Sequence, residues 1–310
     1  MIFVARGIMV SLAFFALLYT FLSLILVLAW RWLSFRKLSK HLPQDVLFML
    51  RVAPSALSAA VSLFLICPSF IALETHSTDE DLGTFVLGVC ALLFLGAGLF
   101  RVLAAEARTR RIVAVCLKGA VNLEPDGVTY AIISPQSVAP LMLVGIRVPR
   151  ILISQSTHHI LSDAELLVAV RHETEHLRSR DNFKKAIFNF LPFPGMRGLG
   201  EAWQEAAELA ADDGAVSSRR EALDLAAALI KLSRHYPHVT IPDFATSLVS
   251  GGESTTKRVE RLLVWEKAPD VVSNRWRNAA LAACALSLAV AVKLGPVLAL
   301  IHSITERFVP

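Results

Sequence analysis

The stretch SDAELLVAVRHETEHLR, Ser162 to Arg178, holds the pattern from which the rest of the chain is read. Ser162 followed three residues later by Glu165 is a capping-box start ahead of an apolar run, and no proline or glycine interrupts 162–180, so a helix is predicted. On that helix His172 and His176, four residues apart, leave the axis about 40° apart and share a face. Both imidazoles can then bind one zinc ion, and Glu173 beside the first is placed as general base toward a water that the ion activates. Glu175 has no part in this H-E-x-x-H pattern and is expected to face solvent.

With 55% hydrophobic residues in 310 and a mean hydropathy of +0.55, the chain is too apolar for a soluble protein, so part of it belongs in a lipid bilayer. The net charge of +5 and pI near 9.2 come largely from lysines and arginines beside apolar segments. Membrane orientation explains them, and no basic stripe with interleaved aromatics points to nucleic acid. Cys67, Cys90, Cys116 and Cys284 have no C-x-x-C spacing and read as small buried residues.

Four spans are expected. The run 7–30 is long enough to cross a hydrocarbon core of about 30 Å and ends in charge, so it reads as a retained anchor. A basic loop follows (Arg31, Arg36, Lys37, Lys40, Arg51), then a second span over 52–73 and an acidic loop with Glu74, Asp79, Glu80 and Asp81. A third span, 82–100, runs into Arg101, Arg108, Arg110 and Arg111. The positive-inside rule places the basic loops in the cytoplasm and both termini outside. The last apolar run supplies a fourth span from 276 to about 297, with Lys293 snorkelling at the outer interface. The chain thus divides into three spans (1–104), a cytoplasmic domain (105–275) and a fourth span with a short tail (276–310).

Within 105–275, the β-branched runs 128–134, 141–147 and 150–154, separated by Pro135, Pro140, Gly145 and Pro149, read as a small sheet. A strand edge beside the metal helix could accept an extended peptide as one more strand. The apolar, proline-broken segment 187–196 is too short to span and suits a membrane surface or a core. Helices are expected at 201–217 and 220–234, and 250–256 is a polar loop before another short helix.

A catalytic zinc needs a third protein ligand. The helix 201–213 offers Glu201, Glu205 and Glu208, and composition does not rank them. The segments Arg171-His-Glu-Thr-Glu-His-Leu-Arg-Ser-Arg-Asp-Asn182 and Glu208-Leu-Ala-Ala-Asp-Asp213 resemble the BlaR/MecR-type family of membrane metallopeptidases. That family joins H-E-x-x-H, a basic cluster and Asp-Asn to a downstream E-x-x-x-D helix. The segments 138–149 and 257–263 are similar to its strand region and to the helix before its final span.

The resemblance implies an α-helical membrane protein of four transmembrane helices with an inserted α+β, gluzincin-like zinc-peptidase domain in the cell membrane. It implies His172, His176 and Glu208 as Zn2+ ligands, Glu173 as general base, and Asp212 and Asp181 in support of the ligands. The substrate would be a protein or peptide, the chain itself or a transcriptional repressor among the candidates. The chain departs from the family's antibiotic receptors, which carry a penicillin-binding sensor domain after the fourth span. Ser34-Phe-Arg-Lys37 matches S-x-x-K only as a bare pattern in a short basic loop. HtpX-type or prenyl-peptide-processing proteases are an alternative with the same motif, and a non-catalytic membrane signal transducer is another. No oxyanion donor is singled out among Tyr130, Tyr236, His235 and His238.

Overall fold

The computed structural model describes residues 2–36, 42–73, 82–123, 131–135, 137, 139–236, 244–248 and 252–266. They are mostly helical with one small mixed sheet, and they fall into two compact units. One comprises the described residues up to Leu99 together with Leu191–Leu199; the other comprises Phe100–Phe190 and the described residues from Gly200 to Glu266.

The first unit is built on apolar helices: α1 (Ile2–Phe35), α2 (Gln44–Val61), α3 (Cys67–Leu73) and the first half of α4 (Leu82–Cys116). Three helical stretches, Ala5–Phe35, Gln44–Phe70 and Leu82–Cys116, are long and apolar enough to cross a membrane. Many of their large side chains stay outward, among them Phe21, Leu28, Phe64, Leu93 and Phe100, as helices facing lipid require. Between α2 and α3 the helix widens into a π turn, Ser62–Ile66. Pro68 lies two residues beyond it; it has no N–H for the carbonyl four residues back and its ring crowds that oxygen, which a widened turn relieves. Gly88 of α4 lies against α1 so closely that an added Cβ would meet Met9 O at 2.7 Å. The segment 191–199 also packs here: Leu191 O accepts from Tyr19 Oη (2.9 Å) and Arg51 Nη2 (3.1 Å), and Phe193 meets Tyr19 edge-on. The expected fourth span, 276–297, lies outside the described residues.

The second unit holds five strands in the order β1-β2-β4-β3-β5: β1 (Val121–Leu123), β2 (Ala131–Ser134), β3 (Leu141–Val144), β4 (Arg150–Ser154) and β5 (Ala245–Ser247). β2 and β4 are parallel and the other pairs antiparallel. Leu141, Leu143, Ile151 and Ile153 face a core shared with α6 (Asp163–Arg178) and α9 (Arg219–His235). Met142, Val144 and Leu152 face Cys116 and Val113 near the end of α4. Both faces are covered, so β3 and β4 are continuous apolar runs without alternation. The three expected strands fall on β2, β3 and β4, with 128–130 outside the described residues. β1 and β5, of three residues each, were not anticipated.

The predicted capping box forms: Ser162 Oγ accepts from Glu165 N (3.4 Å), and Glu165 Oε2 accepts from Ser162 N (2.8 Å) and pairs with Lys231. α5 (Gln155–Ile160) precedes it, and α7 (Asp181–Phe190), α8 (Arg197–Ala215) and α10 (Gly252–Leu263) complete the order. α10 begins inside the stretch read as a polar loop, its first residues supplying the opening turn.

Candidate metal centre

α6 and α8 bring the candidate ligands together, beside β3. α6 packs its apolar side, Leu166, Val168, Ala169 and Val170, into the sheet core, which buries the next turn as well. His172, Glu173 and His176 are accordingly almost wholly enclosed. α8 presents a stripe of Trp203, Ala207, Ala211 and Ala215 inward, carrying Glu208 and Asp212 with it, whereas Glu201 and Glu205 point outward. The ambiguity among the three glutamates is thus resolved by burial.

His172, His176 and Glu208 could hold a metal ion. The two Nε2 atoms face each other at 3.2 Å, and Glu208 Oε2 and Oε1 lie 3.5 and 3.7 Å from the Nε2 of His172 and His176. Donors each about 2.0–2.1 Å from an ion at the tetrahedral angle are separated by roughly 3.3–3.4 Å, so the three residues are spaced to frame such an ion. The other nitrogen of each ring meets a carboxylate: Asp212 Oδ1 is 3.0 Å from His172 Nδ1, and Asp181 Oδ2 is 2.7 Å from His176 Nδ1. Carboxylates at these positions favour the tautomer with its proton on Nδ1, which directs the Nε2 lone pairs toward one another. Two lone pairs at 3.2 Å require a cation or a proton between them.

Glu173 stands beside this set. Its Oε2 accepts from Leu143 N (2.9 Å) and Thr246 Oγ1 (3.2 Å), while Oε1 is buried with no hydrogen-bond partner among the described residues. Burial raises its pKa above the ordinary carboxylate value, against the lowering effect of the imidazoles. Burial also presses Glu208 and Asp212 upward, but the Arg258 guanidinium and the imidazoles outweigh it; Glu208 ends well below the usual range and Asp212 below it. Burial lowers His176, yet Asp181 and Glu208 prevail and bring it up to about 10.

Arg258 was not anticipated. It is buried on α10, donates to both Asp212 oxygens (2.8 and 2.6 Å) and to Leu248 O (2.9 Å), and pairs with Glu208 Oε2 (2.9 Å). Nothing in the local sequence pattern marks this arginine over Lys257 or Arg261. Thr246 and Lys185 were also missed; the Lys185 amine donates to Ala245 O at 2.7 Å. β5 pairs with β3, so the sheet edge on this side belongs to β5. Glu175 is another correction: it pairs with Arg178, and Gly214 of α8 packs against it closely enough that a Cβ there would meet its Cγ at 2.7 Å. Tyr236 Oη is engaged by Ser154 and Thr157, and Tyr130 and His238 lie outside the described residues.

Neither a scan against models of known protein families nor a search of curated proteins finds a match to this chain.

The electrostatics set a pH dependence. His176 is held near pKa 10 in the metal-free fold against about 6.5 when unfolded. Its contribution to stability is therefore complete below about pH 6.5 and is lost as pH rises through about 10. Chelated wild type should lose melting temperature across that window relative to Asp181→Asn, which lacks the partner that raises His176. Metal affinity should rise over the same interval, because the ion and the proton compete for one site. Parallel pH profiles of the two chelated proteins would contradict the assignment.

Proposed function

We propose that this chain is a membrane-embedded zinc metalloendopeptidase of the BlaR/MecR type that cuts one or a few proteins at the cytoplasmic face. The observation that carries this reading is a set of three converging buried donors beside a further buried carboxylate, Glu173, which is anchored through one oxygen and leaves the other unengaged. A structural site has no use for such a group. Two histidines and a glutamate are a donor set that zinc takes in catalytic sites with one position left open, and a structural zinc would draw on four protein ligands, usually with cysteine.

Zinc held by His172, His176 and Glu208 would supply Lewis acidity toward a scissile carbonyl and lower the pKa of water toward about 7. Glu173 takes the water proton on Oε1 and returns it to the leaving amine. Asp212 and Asp181 keep the imidazole protons on Nδ1 throughout, and Arg258 offsets the charge of Glu208 and Asp212. Four spans, with the basic loops and the site in the cytoplasm and both termini outside, complete the reading.

The test compares new protein N-termini in membranes and cytosol from cells expressing wild type or Glu173→Ala at matched levels. Termini that depend on Glu173, in a few proteins that include this chain or a repressor, are expected. Cuts spread over many unrelated membrane proteins would favour the HtpX-type alternative instead. Identical termini in the presence of an inducing signal would favour a non-catalytic transducer.

A further inference from the structure

The turn from α6 to α7 carries two features that holding the metal ligands leaves unexplained. Arg180 sits at φ 55°, in the left-handed region that glycine enters freely and larger L residues enter at a cost. The turn is needed, since it brings Asp181 back to His176 Nδ1. Such a helix end ordinarily takes glycine, not arginine. The Arg180 side chain is exposed and makes no hydrogen bond or ion pair among the described residues.

The second feature is Asn182, which is 3% exposed. Its Nδ2 donates to Gly145 O at 3.1 Å and Leu143 O at 3.4 Å, and two carbonyls on that side fix which amide atom is oxygen. Oδ1 is then a buried acceptor with no donor among the described residues, an arrangement that calls for an outside partner.

Both residues border one cavity of about 320 Å³ that reaches His176. Its walls are mostly apolar, formed by Leu143, Ile146, Pro149, Leu177 and the half-exposed Phe183, with Asp181, held by His176 and Lys184, also in the lining. The volume lies at the lower end for ligand pockets and suits one bulky side chain with the backbone around it. We infer that this cavity is the subsite for the substrate residue next to the scissile bond, and that it selects an apolar side chain with an acidic residue beside it. The apolar walls take the side chain, Asn182 Oδ1 accepts a backbone N–H of the bound segment, and the Arg180 guanidinium pairs with the neighbouring carboxylate. This inference rests on the peptidase reading above.

The experiment presents full-length, zinc-loaded protein in detergent with a randomised peptide mixture and sequences the products by mass spectrometry, with Glu173→Ala as the blank. Wild type should cut beside Leu, Ile, Met or Phe, with Asp or Glu enriched about tenfold within two positions, as one good charge-assisted pair allows. Arg180→Gly suits the backbone, so it should keep its zinc and a melting temperature no lower than wild type, retain the apolar preference and lose the acidic one. Arg180→Glu should enrich Lys and Arg at that position instead. Acidic enrichment that survives in both variants overturns the inference, as does a wild type that ignores apolar residues. A wild type that cuts nothing beyond the blank overturns the peptidase reading and the subsite with it. A library that is cut with the same profile by all three active forms overturns the subsite alone.

Discussion

Glu173→Gln should lower the turnover of any peptide that wild type cleaves by about 10²–10⁴-fold, the range a positioned general base supplies, with the bound metal unchanged. Glutamine is the informative replacement because its carbonyl oxygen can still accept from Leu143 N and Thr246 Oγ1, the two donors that anchor the native side chain. The fold around the site is thereby preserved, and the loss isolates proton transfer. Burial raises the Glu173 pKa above the ordinary carboxylate value, the direction that the proposed general-base role requires. Zinc content by mass spectrometry and turnover of one defined peptide make the measurement. Activity within tenfold of wild type would remove Glu173 from the chemistry, and a variant stripped of metal would show that it serves the metal instead.

The second large effect is on stability. Arg258→Met should destabilise the chelated second unit by about 3–5 kcal/mol, because it strands the buried carboxylates of Asp212 and Glu208 without their cation. Methionine keeps much of the volume, so the loss reports charge more than packing. Arg258→Lys should recover less than half of it: one ammonium does not reproduce a fork that reaches both oxygens of Asp212 and also Leu248 O. Metal should restore part of the deficit in Arg258→Met by supplying positive charge to Glu208. Denaturant midpoints with and without zinc measure all three. A chelated Arg258→Met within 1 kcal/mol of wild type would mean that the carboxylates find their compensation elsewhere.

What the sequence discloses follows from the range of the interactions involved. The α6 capping box, the shared face of His172 and His176, and the apolar runs of β3 and β4 depend on neighbours a few residues apart, and all are visible in the string. Glu208 was separable from Glu201 and Glu205 in principle, since Trp203, Ala207, Ala211 and Ala215 mark the buried side of α8 and place Glu208 on it. Arg258 and Thr246 were not separable. Each acquires its role by meeting a carboxylate far away in sequence, 46 residues for the Arg258–Asp212 pair and 73 for Thr246–Glu173, and no local pattern records that meeting. β5 is hidden for the same reason, as three residues give no period to read and its place is set by β3. Glu175 was misjudged because its exposure depends on Gly214, whose missing side chain lets α8 close over it.

The long separation between Glu173 and Arg258 also orders events during synthesis. The H-E-x-x-H helix leaves the ribosome 85 residues ahead of the arginine that offsets Glu208 and Asp212, an interval of about 4–17 s at ordinary elongation rates. Throughout it the growing polypeptide holds both histidines, Glu173 and finally Glu208 without the charge that balances the cluster, and for most of it without the β5 hydroxyl that anchors the base. By then the three apolar helices have already emerged. The three apolar helices are therefore complete well before the buried cluster can be assembled, and the order of synthesis separates the two units in time.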